Sequence, residues 1–434
     1  MTVTAPFQLD ALLGLVYQED TAYLAHRDNL VLHSHFQPIF SFAHRRVVGH
    51  EGLLRAWSDN GRQLSPYTVF ASARSEPELV TLDRLARLLH SLNFSRLSTQ
   101  QQSGMQWLFL NAEPNAFAHA GQYGRFFPEM LEKVGIAPTQ VVIEVLETAI
   151  ENNRQLARAV DYFREMGCLI AIDDFGAGHS NVDRIWRLRP DIVKLDRTLI
   201  ADAADNPEAR HILPGLVTLL HEAGSLVLAE GIENDWEAFL AMEADCDLVQ
   251  GYYFATPSPN LFEPEALRHT FEQLWRNFET TMHREINQNQ QLLAPYTKAL
   301  LHGADRLVEG GAFEQATAEF LTQRLSLRCF LLDAVGCQVD DCLSETHLGH
   351  HPSADRFAPL ADTKGAIWSR RQYFRQAMRR FGELQISRPY LALTDGQLCV
   401  TLSLGIRINN QPFVLCGDLA WYADSELLDG AGQG

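Results

Sequence analysis

LIAIDDFGAG, residues 169–178, is the stretch on which the fold turns. Its apolar residues run on continuously instead of alternating with polar ones. They end on paired carboxylates, Asp173 and Asp174, followed by a glycine-rich turn. A continuous apolar run of this length marks a strand covered on both faces, the environment of a parallel sheet flanked by helices. The same pattern recurs on either side, in WLFLNAE (107–113), VVIEVLE (141–147), DIVKLD (191–196), LVLAEGIE (226–233) and DLVQGYYF (247–254), with helical stretches between. Two earlier strand-like segments, FQPIFSF (36–42) and VVGHEGLL (47–54), bring the set to what a closed (β/α)8 barrel needs. An open doubly wound sheet would call for a phosphate-binding glycine turn after its first strand, and none stands there.

Nearly every one of these segments ends in an oxygen-bearing polar group: Glu51, Asn111, Glu144, the Asp173–Asp174 pair, Glu230 and Gln250. Barrels of this type carry their active sites at the C-terminal strand ends, so these groups are expected to converge. Carboxylates brought together without a cation repel one another. Acids with one amide are the ligand set of a hard divalent ion such as Mg2+ or Mn2+, and the absence of Cys and His from the row disfavours zinc. Neighbours in a strand point to opposite faces, so Asp173 and Asp174 are expected to share a site only where the strand ends. There one carboxylate can bridge two metals roughly 4 Å apart, the arrangement that activates water for phosphodiester hydrolysis. Lys194, between Val193 and Leu195, must reach the acids to escape an unpaired burial. Kept protonated, it can orient the attacking water or offset phosphate charge. Arg55, four residues beyond Glu51, offers a forked donor to a phosphate oxygen.

The whole chain, 434 residues, is long enough for two or three domains. From Pro264 the residues Leu267, Phe271, Leu274, Trp275, Phe278, Met282 and Ile286 form the stripe of a long amphipathic helix. That helix is expected to end at the polar run NQNQQ (287–291) and Pro295. Beyond Leu325 the pattern turns strand-like: CFLLDAVGCQV reads as two strands around a turn, and LCVTLSLGI and FVLCGDLAWY as two more. The expected division is a barrel over 1–262, a connecting helical segment over 263–300 and an α+β domain over 301–434.

A formal net charge of −18 argues against nucleic-acid or anionic-membrane partners. It leaves room for a small phosphorylated ligand, since metals invert the local sign. No run approaches the roughly 20 apolar residues of a membrane span, and the N-terminus does not read as a signal peptide. A cytoplasmic protein is expected. The seven cysteines read as reduced thiols, and Cys337 and Cys342 with His347, His350 and His351 fit no zinc spacing.

The motifs FQPIF, EGLLR, FLNAEP, IEVLET, IDDFGAGHSN, VKLD, LAEGIE and QGYYFATP resemble, in order and spacing, those of the EAL-domain family of bacterial cyclic di-GMP phosphodiesterases. The resemblance covers about residues 20–260. It implies a modified (β/α)8 barrel with an antiparallel first strand, and cleavage of cyclic di-GMP to linear pGpG with two Mg2+ or Mn2+ ions. It implies Glu51, Asn111, Glu144 and Asp173 as ligands of one metal, and Asp173 and Asp174 as ligands of the other. Lys194, Glu230 and Gln250 are implied around the metals and their waters, and Glu147 as the anchor of the loop after the Asp pair. Glu51, Lys194, Glu230 and Glu147 thus form the implied catalytic set, with Gln37, Arg55, Asp174, Gln250 and Glu233 towards the dinucleotide. Two positions depart from the family pattern. Gly52 replaces an alanine, a small-for-small change expected to leave the backbone path intact, and His179 replaces a tyrosine. The rival class is a cyclic di-GMP receptor without turnover. Such receptors lack several metal ligands, whereas all are present here. A homodimer is also implied.

Downstream, WSRRQYFRQAM, ISRPYLALTDGQLCVTLSLGI and FVLCGDLAW are similar to Cache/PAS-like sensory domains. Arg371, Tyr373 and Asp418 are the nearest matches to the small-ligand residues of such domains. A domain that only mediates dimerisation is the alternative.

Overall fold

The computed structural model describes residues 8–101, 105–113, 125–146, 153–178, 182–263, 266–339, 342–344, 360 and 362–421. The chain divides into two compact units, Met1–Glu279 and Thr280–Gly434.

In the first unit eight of the described strands close into a barrel: β1 (Leu30–Ser41), β2 (Arg46–Ser58), β3 (Trp107–Ala112), β4 (Val141–Leu146), β5 (Leu169–Phe175), β6 (Ile192–Leu195), β7 (Leu226–Ala229) and β8 (Leu248–Val249). β2 to β8 pair in parallel, whereas β1 runs antiparallel to both its neighbours, β2 and β8. A hairpin of two shorter strands, Val16–Glu19 and Ala22–Arg27, extends the sheet outward from β1. Polar caps start several of the surrounding helices. Asp196, just past β6, accepts from Thr198 N to begin Arg197–Asp205, and Asn234 accepts from Glu237 N to begin Asp235–Glu243. The apolar outer faces of the strands and the inner faces of the helices form one core. A smaller core fills the barrel itself: Ile39, Phe109, Val142, Ala171, Ile192, Leu228 and Leu248, one from each strand except β2. At that level β2 has Gly49, where an added Cβ would lie 2.9 Å from the Trp107 carbonyl and 3.0 Å from the Phe109 ring.

The long helix departs from the expected stop. It runs from Arg268 to Val308 with Pro295 inside it; Pro264 lies outside the described residues. The missing proline N–H costs one helical bond, but Tyr296, Ala299, Leu300, Ala304 and Leu307, immediately beyond, bury into the second unit's core and carry the helix on. At its other end Phe271 and Leu274 are buried in the first unit, while Ile286 is exposed, so the expected stripe does not stay covered along its length.

The second unit is an antiparallel sheet with strands in the order Leu343–Ser344, Ser326–Leu332, Gln411–Ala420, Leu398–Ile408 and Gln385–Ile386; Tyr390–Leu391 also pairs with Leu398–Ile408. Helices Phe313–Leu321 and Gln372–Arg379 accompany it. The expected second strand within CFLLDAVGCQV is reduced to isolated bridges, Leu332 to Gln338 and Cys337 to Ile367, because the chain turns straight back at Asp333–Gly336. Among the described residues no helix is long and apolar enough to cross a membrane.

Candidate metal centre

Side chains on a strand repeat every two residues, so the residue two beyond each barrel-filling apolar group points into the same space, one layer higher. Applied strand by strand, Phe109 leads to Asn111, Val142 to Glu144, Ala171 to Asp173, Ile192 to Lys194, Leu228 to Glu230 and Leu248 to Gln250. On β2, Gly49 leads to Glu51. On the reversed β1 the step runs backward, from Ile39 to Gln37, which faces Glu51 across the β1–β2 ladder. The polar layer over the apolar floor is the candidate site.

The Asp173–Asp174 pair reaches this layer differently from the expectation that the strand ends there. β5 continues through Phe175, and its register against β6 slips between Ile172 and Phe175, a bulge of one extra residue. Asp174 sits in the bulge at φ 57°, a left-handed conformation that Asp tolerates better than most residues. The bulge, not a strand end, gives both carboxylates access to one site.

Lys194 Nζ lies 2.5 Å from Glu144, 2.5 Å from Glu230, 2.8 Å from Asp173 and 4.0 Å from Glu51. Glu51 accepts from Asn111 Nδ2 and Gln250 Nε2, each at 2.9 Å. Burial works against the charge of Lys194, but the surrounding acids outweigh it and hold its pKa well above the usual value. Burial also opposes the charge of Glu51, yet Lys194 and the two amide donors bring its carboxyl below the ordinary range. The other acids go the opposite way. Burial, then the neighbouring Glu51, pushes Glu144 well up. Burial, with Asp173 and Glu51 adding to it against Lys194, raises Glu230 to about 8. Burial and then Asp173 raise Asp174 to about 6. One lysine does not neutralise this many carboxylates.

The residues fit hard divalent ions. Oxygen atoms of Glu51, Glu144 and Glu230 lie within 4.8 Å of one another, and so do those of Asp173, Asp174 and Glu230. Glu230 is common to both groups. Glu144 Oε2 and Gln250 Oε1 are buried and accept no hydrogen bond, leaving lone pairs that a cation would satisfy.

Above the carboxylates opens a cleft of about 240 Å3, lined by Gln37, Glu51, Glu230, Glu233 and Gln250, and also by Arg197 and Tyr252. Gln37 donates to Ala255 O at 3.3 Å. Arg55, on the same face of β2 as Glu51, is partly buried and donates to the Leu54 carbonyl. Glu233, largely exposed, pairs with Arg197 at 3.1 Å. Arg197 and Tyr252 escaped the sequence reading because they lie two and three residues beyond β6 and β8, whereas the polar-layer residues sit inside a strand or one residue past its end. Glu147 and His179 lie outside the described residues.

In the second unit Arg371, Tyr373 and Asp418 line one cavity, of only about 30 Å3. Tyr373 stacks on Tyr390, whose ring lies under the Arg371 guanidinium. Asp418 pairs with Arg328 Nε at 3.1 Å and accepts from Thr401 at 2.7 Å. Arg328, a buried cation, was not anticipated.

Residues 21–257 match the family model described as the EAL domain. Bacillus subtilis YkuI, described as an EAL-domain containing protein, is 26% identical over 383 residues, covering 85% of this chain and 90% of YkuI. The cyclic di-GMP phosphodiesterase RocR of Pseudomonas aeruginosa is 28% identical over 238 residues, covering 54% of this chain and 59% of RocR. Other relatives are far longer: the match to an Azorhizobium caulinodans protein spans 32% of that protein. The crystal structure of B. subtilis YkuI in complex with substrate cyclic di-GMP and calcium superposes with a TM-score of 0.74 at 23% identity, covering 90% of this chain and 96% of YkuI, and so shares the fold across both units.

Proposed function

The chain belongs to the EAL-domain family, and from that premise we propose that it is a phosphodiesterase that opens cyclic di-GMP to linear pGpG with two Mg2+ or Mn2+ ions. The observation that carries this reading is the pair of carboxylate groups sharing Glu230, packed around a lysine too few to balance them. Glu51, Asn111, Glu144 and Asp173 would hold one ion and Asp173 and Asp174 the other, with Glu230 at the metals and their waters. Bound there, the ions supply an activated water and offset the charge that develops on the phosphate.

The chain's own groups do the rest. Lys194, its three N–H donors turned to Glu144, Asp173 and Glu230, keeps its proton and lends a fixed positive charge beside the water and the phosphate. Gln250 and Asn111 orient Glu51 through their amides, leaving one carboxylate face free for a ligand. Gln37 binds the dinucleotide at the cleft, Arg55 reaches it from the same face of β2 although it does not line the cleft, and Glu233 is held in place by Arg197. Glu147 is assigned as the anchor of the loop that follows the Asp173–Asp174 pair. RocR, a cyclic di-GMP phosphodiesterase, and YkuI, whose complex contains that dinucleotide, support the substrate.

Incubating the protein with cyclic di-GMP and Mn2+ or Mg2+ should yield pGpG, and EDTA should stop it. Binding without product would make the protein a receptor instead. We further propose that the second unit is a PAS/Cache-like sensory domain with Arg371, Tyr373 and Asp418 at its ligand cavity, in a cytoplasmic homodimer. A thermal-shift screen of the full chain against metabolites tests this, and stabilisation by none would leave the unit a dimerisation role.

A further inference from the structure

Gly52 stands immediately after Glu51, where the family motif has alanine. Its outward face meets His90, from helix Glu76–Gln101. A Cβ built on Gly52 would lie 2.9 Å from His90 Cγ, 3.0 Å from its Cβ and 3.2 Å from its Cδ2. These are atoms near the root of the His90 side chain, so a rotation at its tip would not relieve the clash. The ring is fully buried and has nowhere to withdraw. It is also tied to the neighbouring strand: His90 Nδ1 and Ser34 Oγ are 2.8 Å apart, and the ring meets Phe36 edge-on at 6.5 Å. Phe36 is the residue paired with Gly52 across the β1–β2 ladder. One side chain therefore touches both strands from behind. Those strands carry Gln37, Glu51 and Arg55 on their other side.

We infer that His90 is a positioning residue for Glu51, occupying the volume that an alanine methyl would fill and setting how deep the β1–β2 pair sits in the barrel wall. The exchange of alanine for glycine is then half of a two-residue change, not the neutral small-for-small substitution that the sequence suggests. With His90 present, a methyl at residue 52 pushes strand and helix apart and shifts the Glu51 carboxylate; with His90 removed, the same methyl fills a void. The effect of the methyl changes sign with the partner.

The inference rests on Glu51 being a metal ligand, so the test reads Mn2+ binding directly. Calorimetric titration of Mn2+ into the full chain compares wild type, Gly52→Ala, His90→Ala, the double variant and Leu97→Ala, a core truncation farther along the same helix. Gly52→Ala is expected to bind Mn2+ about tenfold more weakly, on the scale of other groups that support a metal ligand. The double variant is expected to return to within about threefold of wild type, and to melt above His90→Ala alone. Leu97→Ala should melt lower yet bind Mn2+ as wild type does, separating positioning from general loss of stability. Unchanged Mn2+ affinity in Gly52→Ala, or additive effects in the double variant, overturns the inference while leaving the metal site intact. No Mn2+ binding by wild type would instead sink the metal-site reading, and the inference with it.

Discussion

In each unit a buried cation stands among several acids, Lys194 in the first and Arg328 in the second, and the two surroundings differ in kind. Arg328 has an acid or a hydroxyl against each of its three nitrogens, the Nε contact being an ion pair without hydrogen-bond geometry. Its Nη2 meets Asp395 at 2.8 Å, its Nε meets Asp418 at 3.1 Å, and Nη1 donates to the Thr394 hydroxyl. Asp418 uses its other oxygen to accept from Thr401, which in turn meets the Tyr390 hydroxyl. Beside this network remains a cavity of about 30 Å3, the size of a water molecule. Lys194 instead faces Glu51, Glu144, Asp173 and Glu230 at once, and buried oxygens of Glu144 and Gln250 stay without a donor. A buried cation met at each nitrogen by an acid or hydroxyl holds a fold together; a larger surplus of acids with unsatisfied acceptor lone pairs marks a site for added positive charge.

The contrast can be broken at several points. The largest effect is expected from Glu51→Ala, which removes a metal ligand from the surplus side: turnover of cyclic di-GMP, followed as pGpG formation, should fall by about 10²–10³-fold or more, as when one group stabilising transition-state charge is lost. Near wild-type turnover would remove Glu51 from the ligand set. Arg328→Met should act on stability alone. It strands Asp418 and Asp395 without a counter-charge, and breaking a buried pair on one side costs about 3–5 kcal/mol. Urea unfolding should register that loss, while turnover per folded molecule in the absence of any second-unit ligand stays at the wild-type level. A parallel loss of turnover would mean that the Arg328 network is more than architecture.

The barrel was far more legible than the second unit, for a physical reason. In a parallel barrel the strands repeat one rule, an apolar floor residue followed two positions later by a polar one, so the sequence states the site six times over, in FxN, VxE, AxD, IxK, LxE and LxQ. The departures are places where no repeat helps. The bulge at Asp174 looks like an ordinary strand end until the register against β6 is known. Gly52 looks neutral until His90, a helix away in sequence, is seen against it. The helix running past Pro295 depends on apolar contacts that local propensity does not contain. In the second unit Arg328 lies inside an apolar run, and its partners Asp395 and Asp418 are about 65 and 90 residues away, with no periodicity linking them.

A smaller effect separates the two clusters without mutation. Mn2+ at a hundred times its dissociation constant should stabilise the first unit by about 2.7 kcal/mol for each ion bound, because the ion binds the folded carboxylate array and not the unfolded chain. The shift should appear in thermal unfolding, vanish with EDTA, and be absent for any transition assigned to the second unit by Arg328→Met.

The smallest expected effect tests how the surplus is assembled. Asp174 is an acid whose pKa is raised to about 6 by burial and by Asp173, and it also holds a left-handed backbone. Its two roles can be separated by substitution. Asp174→Asn keeps a side chain that tolerates φ 57° and removes one negative charge from a crowded set, so in EDTA it should be at least as stable as wild type. Asp174→Ala removes the same charge but places a residue that disfavours this conformation in the bulge, so it should be less stable than the asparagine variant by about 1–2 kcal/mol. Both should bind Mn2+ more weakly, since neither supplies the second carboxylate. Urea unfolding in EDTA measures the first comparison and calorimetry the second. Equal stability of the two variants would mean that the bulge is not what aims the Asp pair, and that β5 delivers both carboxylates without strain.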